Sequence, residues 1–217
     1  MFKKIKDKIL KNKKIFAIIA TIFAFLSIQI VLAALSFNSD ARDYPLSVGN
    51  HTQNPGQTWA TSLTSVNPGD ELRFRVYYHN AATVDANNTK VELSLSSTSS
   101  ATNFTATSKI SATSFDDYIT NASINLTSAQ TITFQNTAQW YHNYNGTAYQ
   151  IDNINVVVSG GMVSFDLGTV NPGYAPNDGY IIFTGLVSNA VTPKNFNSDA
   201  QDSPLNVGNH TQNPGQN

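Results

Sequence analysis

The sequence contains no cysteine and unusually little charge. Without cysteine, neither disulfide bonds nor thiol chemistry can contribute, so the folded protein depends on its hydrophobic core for stability. Charged residues make up 12% of the chain, roughly half of the usual share. Their place is taken by 21 serines, 22 threonines and 25 asparagines, which favour turns and exposed strand faces and form helices poorly. Hydrophobic residues still reach 41% of the 217 residues, enough for the core of one domain or of two small ones.

Positive charge is scarce after residue 14. Seven of the thirteen basic residues lie within the first fourteen positions, and the remaining chain carries six basic and thirteen acidic residues. An acidic body repels phosphate backbones. Nucleic acid is therefore not expected as a partner.

Residues 1–35 are predicted to be a signal peptide or a membrane anchor. After the basic start, twenty uncharged, mainly apolar residues precede the first polar segment, which is the order of a secretory signal, with cleavage after Ala33 or Ala34. Twenty apolar residues also suffice to cross a bilayer as a helix, so a retained anchor stays open as an alternative. Both alternatives place residues 36–217 outside the cytoplasmic membrane, secreted or held at the cell surface.

The sequence after this segment has strand patterns and no amphipathic helix. Residues 72–80 alternate in polarity, which places four apolar side chains on one face: Leu72, Phe74, Val76 and Tyr78. Further strands are predicted at 90–97, 122–128, 131–135 and 138–144. Gly160 and Gly161 are predicted to form the turn of a hairpin over 154–168, and 179–188 an apolar strand at the centre of a sheet.

Turns are marked by the tripeptide Asn-Pro-Gly, which occurs four times, at 54–56, 67–69, 171–173 and 213–215. Proline presets φ at the second position of a type II turn and glycine accepts a positive φ at the third. Two of these turns precede long strands, with the turn-forming pairs Pro68–Gly69 and Pro172–Gly173. About eight short strands separated by such turns predict an all-β, antiparallel sandwich over 58–195.

One part of the chain follows a pattern of a Pro-Gly-Asp turn, an apolar strand ending in asparagine and a second strand, with these residues: Val66, Pro68, Gly69, Asp70, Val76, Asn80, Val91 and Leu95. In this pattern the chain resembles a known family of bacterial cell-surface repeats, catalogued as domain of unknown function eleven. The stretch 168–188 is similar to the closing part of these repeats, and 98–150 matches less well. The resemblance implies immunoglobulin-like sandwiches, usually in tandem on the cell surface, and no catalytic residues.

Residues that could carry chemistry are sparse. His79 and His142 are the two histidines outside the internal repeat, and neither belongs to a metal-ligand spacing. No Gly-x-Ser-x-Gly nucleophile motif occurs, so no catalytic residue, metal site or cofactor is predicted. Structural calcium is a further option, without an assignable ligand set, among the weak carboxylate clusters Asp40 with Asp43, Asp116 with Asp117, and Asp178.

The densest aromatic stretch spans 140–149. Exposed aromatic side chains stack on sugar rings, so Trp140, Tyr141 and Tyr144 are the candidate binding patch. The alternative is that alternate residues of this strand fill the core and 143–146 form a turn.

Residues 37–57 recur near the end of the chain. The segments 37–57 and 196–216 are identical at 18 of 21 positions, and differ where Arg42, Tyr44 and Ser47 face Gln201, Ser203 and Asn206. Residues 36–57 are therefore interpreted as a linker or first repeat segment, and 196–217 as the start of a second copy of the module. The alternative is that 196–217 packs on a neighbouring subunit in the place of 37–57.

The function predicted from these features is structural and non-catalytic. The protein is expected to be a cell-surface coat, stalk or filament module whose partners are copies of itself or neighbouring modules, together with the membrane at its N-terminal segment. The alternative is an adhesin that recognises glycans or other cells.

Overall fold

The structure is a computed structural model that describes residues 35–56 and 58–189. Apart from Leu35, the predicted signal or anchor lies outside the described residues, as do Ala33 and Ala34 and the second repeat copy, 196–217. Within the described part of the chain, no helix has the length and hydropathy needed to cross a membrane.

Strands are the only regular secondary structure in residues 35–56 and 58–189, which confirms the all-β prediction. In chain order they are β1 (Ser47–Asn50), β2 (Ser62–Val66), β3 (Glu71–Tyr78), β4 (Ala86–Leu95), β5 (Ala101–Ser111), β6 (Tyr118–Gln130), β7 (Ile132–His142), β8 (Gln150–Asn155), β9 (Val157–Ser159), β10 (Met162–Val170) and β11 (Gly179–Val187).

These strands form two sheets that enclose one hydrophobic core. The first sheet has the order β1-β3-β11-β7-β8 and the second has the order β2-β6-β5-β4-β10-β9. Every pairing is antiparallel except β2 with β6, which is parallel, so the expectation of a wholly antiparallel fold is wrong at that edge. The chain passes from β1 in one sheet to β2 in the other, so no hairpin fixes the direction of β2.

The core follows the alternation of the two central strands. Four side chains of β3 are buried on one face as the sequence predicts: Leu72, Phe74, Val76 and Tyr78. Strand β11 lies between β3 and β7, in the middle of its sheet, and buries Ile181 and Phe183. Burying each such side chain stabilises the fold by about 1.5–3 kcal/mol.

The structure contains more and longer strands than the eight short ones expected. Strand β5 was not predicted, and the two strands expected at 131–135 and 138–144 form the single strand β7. The inward face of β5 consists of Phe104, Ala106, Ser108 and Ile110, all buried. Serine and alanine in that alternation obscure its apolar period, while threonine and asparagine on the outward face resemble loop composition.

Residues 37–57, interpreted from the sequence as a linker or repeat segment, contribute to the two-sheet body. Strand β1 pairs with β3 at the edge of the five-stranded sheet. Phe37, Leu46 and Val48 are almost fully buried in the shared core. The body that these residues complete therefore begins before residue 58.

The Asn-Pro-Gly turns differ in conformation. Gly69 has a φ of 85° and Gly173 a φ of 89°, the left-handed values that the third position of a type II turn requires. Gly56, in the same tripeptide, does not have a positive φ, so the type II prediction is wrong there. The prediction for Gly160 and Gly161 is met, with φ of 57° and 78° in the hairpin between β9 and β10.

Candidate functional site

The first repeat segment is held to the body by buried polar contacts. The amide of Asn38 donates to the carbonyl of Tyr77 at 2.8 Å, and its oxygen accepts the backbone N–H of His79 at 2.7 Å. At the other end of the segment, the side-chain amides of Asn50 and Gln53 each donate to Asp70 Oδ2 at 2.7 Å. Such satisfied buried groups fix the position of a segment, because shifting it would leave polar atoms unpaired.

The three positions that differ between the repeat copies contact either Arg75 of β3 or Tyr174 of the loop before β11. The Arg42 guanidinium lies 4.1 Å from the centre of the Tyr174 ring. The Tyr44 ring lies 4.3 Å from the Arg75 guanidinium, and Ser47 Oγ accepts a hydrogen bond from Arg75 Nε at 3.1 Å. The differences therefore affect contacts with Arg75 and Tyr174.

A histidine and two carboxylates converge beside this segment. His79 Nδ1 lies 3.1 Å from both carboxylate oxygens of Asp43 and 3.6 Å from Asp40 Oδ2. The three groups are close enough to hold a metal ion, but one imidazole nitrogen among them differs from the all-oxygen ligand set that calcium takes. The hydrogen bond between His79 and Asp43 accounts for their approach.

The other predicted carboxylates have separate environments. Asp117 lies 2.9 Å from Lys109 Nζ, and this hydrogen bond raises the pKa of that lysine. Asp178 is buried and accepts a hydrogen bond from the Tyr77 hydroxyl at 2.9 Å, while its Oδ1 atom has no hydrogen-bond partner among the described residues. Neither is part of the group formed by Asp40, Asp43 and His79.

The three residues of the predicted aromatic patch lie on two different faces. Tyr141 stacks on Tyr180 outside the five-stranded sheet, with ring centres 4.4 Å apart, and Tyr144 packs on Tyr149 at 4.8 Å in the same area. Trp140 points towards the core and contacts Phe165. Successive residues of a strand point to opposite faces, so Trp140 does not belong to one patch with Tyr141.

The outer aromatic face is the group Tyr44, Trp59, Tyr141, Tyr149 and Tyr180 around Arg75. The guanidinium of Arg75 lies 4.3 Å from the Tyr44 ring centre, 4.7 Å from that of Trp59 and 6.0 Å from that of Tyr180. Cation–π contacts of this kind stabilise the arrangement by about 0.5–2 kcal/mol each. Sequence reasoning named only Tyr141 of this group as a candidate binding residue, because the members come from distant parts of the chain.

Burial raises the pKa of several of these tyrosines. The pKa of Tyr44 rises to about 12, mainly through desolvation and against the opposing effect of Arg75. The pKa of Tyr78, on the inner face, also rises to about 12 through desolvation. The unfolded chain, with tyrosine pKa values near 10.0, then loses protons before the folded chain does.

We therefore expect the protein to lose stability as the pH rises above 10. The contribution of these tyrosines is complete below the unfolded pKa and is lost as the pH rises through the folded value near 12. The measurement is the free energy of unfolding in denaturant across this pH range. Tyr44→Phe should reduce the slope, and an unchanged slope in that variant would contradict the assignment.

A cavity of about 220 Å³, here called the end pocket, opens where β3 ends and β11 begins. Its lining is Tyr78, Trp140, His142, Asn143, Leu167, Thr169, Val170, Asn171, Pro176 and Asn177. None of these is an aspartate, glutamate, lysine or arginine. The pocket therefore combines an apolar wall with hydroxyl, imidazole and amide groups.

The aromatic wall of the end pocket is fixed by a chain of contacts. The indole N–H of Trp140 donates to the Tyr78 hydroxyl at 3.0 Å. The same indole stacks on His142 with ring centres 3.8 Å apart, and His142 Nε2 lies 2.8 Å from Asp152 Oδ2. That last hydrogen bond lowers the pKa of Asp152. Each ring thus has its orientation set by a neighbour.

Comparison with known proteins found no matching family model, no matching curated protein and no matching solved structure.

Proposed function

We propose that the protein is an exported, non-catalytic structural module of the cell surface, with an immunoglobulin-like architecture, and that the segment 37–57 begins each module. Its partners are copies of the same module, and its N-terminal segment directs it across or ties it to the membrane. The resemblance of about 65–188 to bacterial surface repeats supports this proposal.

The observation that carries the proposal is that the second repeat copy keeps the residues that the first copy buries, with one exception. Seven residues of the first copy are buried in the body: Phe37, Asn38, Leu46, Ser47, Val48, Gly49 and Asn50. All of them except Ser47, which corresponds to Asn206, are identical in the second copy, and the other two changed positions, Arg42 and Tyr44, contact Tyr174 and Arg75. The second copy therefore has the side chains needed to complete a second body of this kind.

The test is a chain of residues 36–216 followed directly by a second copy of 58–195. We expect two folded modules, because 196–216 supplies the first strand of the second one. The second should be about 1–2 kcal/mol less stable, since it lacks the Tyr44 contact with Arg75. The measurement is the enthalpy of thermal unfolding, which scales with the number of folded residues.

A matched control is the same chain with Val207→Asp, at the position that corresponds to Val48. This change should reduce the unfolding enthalpy to that of one module. An enthalpy of one module without any substitution would show that 196–216 cannot replace 37–57, and would contradict the proposal.

Glycan recognition is a second candidate function. It is favoured by the end pocket, in which contacts with Tyr78 and His142 orient Trp140 beside hydroxyl, imidazole and amide groups. Such binding is compatible with a structural role, because the end pocket lies at one end of the module and none of its lining residues belongs to β1.

A further inference from the structure

We infer that the end pocket is a binding site for one ring of a neutral saccharide. This inference rests on the second candidate function and not on the assembly of modules. It assigns the ligand class and the residues of the site, which differ from the outer aromatic face.

The size of the pocket limits the ligand. Its volume of about 220 Å³ is smaller than the roughly 300–1,000 Å³ of sites that enclose drug-sized molecules. The pocket is open on one side, so a single sugar ring can enter while the remainder of a glycan stays in solvent.

Two polar groups at the pocket have unused hydrogen-bonding capacity. The Tyr78 hydroxyl accepts the Trp140 N–H and donates to no other described residue. The Asn171 side chain makes no hydrogen bond to another described residue. A hydroxyl and a carboxamide together offer donors and acceptors, which suits a ligand whose hydroxyl groups also do both.

The remaining lining suits the C–H groups of a sugar ring. Trp140, Leu167 and Pro176 supply apolar surface. Because Tyr78 and His142 hold the indole in place, the wall is formed before a ligand arrives. A preformed wall limits the conformational entropy lost on binding.

The charge of the lining selects against ionic ligands. A charged ligand would give up hydration on entering, and none of the described residues that line the pocket is a lysine, arginine, aspartate or glutamate that could compensate. We therefore assign neutral saccharides, and not sulfated, sialylated or amino sugars.

The first experiment is a glycan array probed with the full chain, followed by titration calorimetry with the saccharides that bind. We expect binding of neutral glycans. Asn171→Ala should raise the dissociation constant about tenfold. This is the effect of losing one hydrogen bond and leaving a polar group of the ligand without a partner. The matched control is Asn136→Ala, an exposed asparagine of β7 outside the pocket, which should leave the affinity unchanged.

The second experiment uses the two tryptophans of the chain. In Trp59→Phe, Trp140 is the sole tryptophan, and its fluorescence should change when saccharide is added. In Trp140→Phe, the remaining Trp59 lies on the outer aromatic face and should not respond. These variants replace one aromatic side chain with another, and their thermal unfolding verifies that they fold.

Three outcomes would overturn the inference: no saccharide binding on the array, binding confined to charged glycans, or binding that Asn171→Ala leaves intact. A fluorescence response of Trp59 alone would instead place the site on the outer aromatic face. None of these outcomes affects the two-module test, so a failure of this site is distinguishable from a failure of the structural proposal.

Discussion

Replacing Val48 with aspartate is expected to unfold the two-sheet body. Val48 is fully buried and lies in β1 opposite Phe74. Its backbone N–H donates to the carbonyl of Ala60 at 2.8 Å, so it also links β1 to the start of the second sheet. A carboxylate placed there has no cationic partner in the apolar core, and the resulting cost of several kcal/mol is comparable with a typical total stability of about 5–15 kcal/mol.

The repeat provides a matched control for this substitution. Val207 is followed by the same nine residues as Val48, and the residue before it is Asn206 where Val48 has Ser47, so Val207→Asp makes the same chemical change in nearly the same local sequence. We expect it to alter the free energy of unfolding by less than about 0.5 kcal/mol, because residues 35–56 and 58–189 already fill the core. Circular dichroism during denaturant unfolding measures both variants. Equal destabilisation by the two would mean that both copies belong to one module.

Replacing Asn80 with alanine is expected to cost about 2–4 kcal/mol. The fully buried side chain donates to the carbonyls of Val84 at 2.8 Å and Val170 at 2.9 Å, and accepts the backbone N–H of Ala82 at 3.0 Å. Each of three hydrogen bonds contributes about 0.5–1.5 kcal/mol, and the partners left in the interior add to the cost. The measurement is the denaturant concentration at the midpoint of unfolding, with the dependence of the unfolding free energy on denaturant concentration unchanged.

Two further variants separate the hydrogen bonds of Asn80 from its size. Asn80→Asp keeps the shape but directs a carboxylate oxygen towards two carbonyl oxygens, so it should destabilise at least as much as alanine does. Asn103→Ala removes an exposed amide that contacts the adjacent Thr102 and should have little effect. A small cost for Asn80→Asp would show that shape, and not the pair of N–H donors, is what the site requires.

The sequence predicts best where one strand carries a complete alternation. The apolar face of β3 and the central place of β11 follow from period-two patterning and an uninterrupted apolar run. The glycine pair 160–161 also locates the hairpin, because both residues of its turn take a positive φ, which glycine adopts most readily. These features depend on residues that are close in sequence.

The candidate sites depend on contacts that no local pattern contains. Asp43 meets His79 across 36 positions, and Tyr77 meets Asp178 across 101. The separation of Trp140 from Tyr141 could have been predicted, because adjacent residues of a strand point to opposite faces. The sequence does not show which of the two faces points into the core, because Trp140 on one face and Tyr141 on the other are both aromatic.

The positions of β1 and β11 determine how the two-sheet body would bear a pulling force. Both strands run antiparallel to β3 and lie on either side of it, so they are parallel to each other. The chain enters near Asn80, where Phe37 forms a bridge, and leaves near Asp70, which accepts the backbone N–H of Val187. Tension between the two ends would therefore act along the strands, loading the hydrogen bonds of both ladders together in shear instead of opening them one at a time.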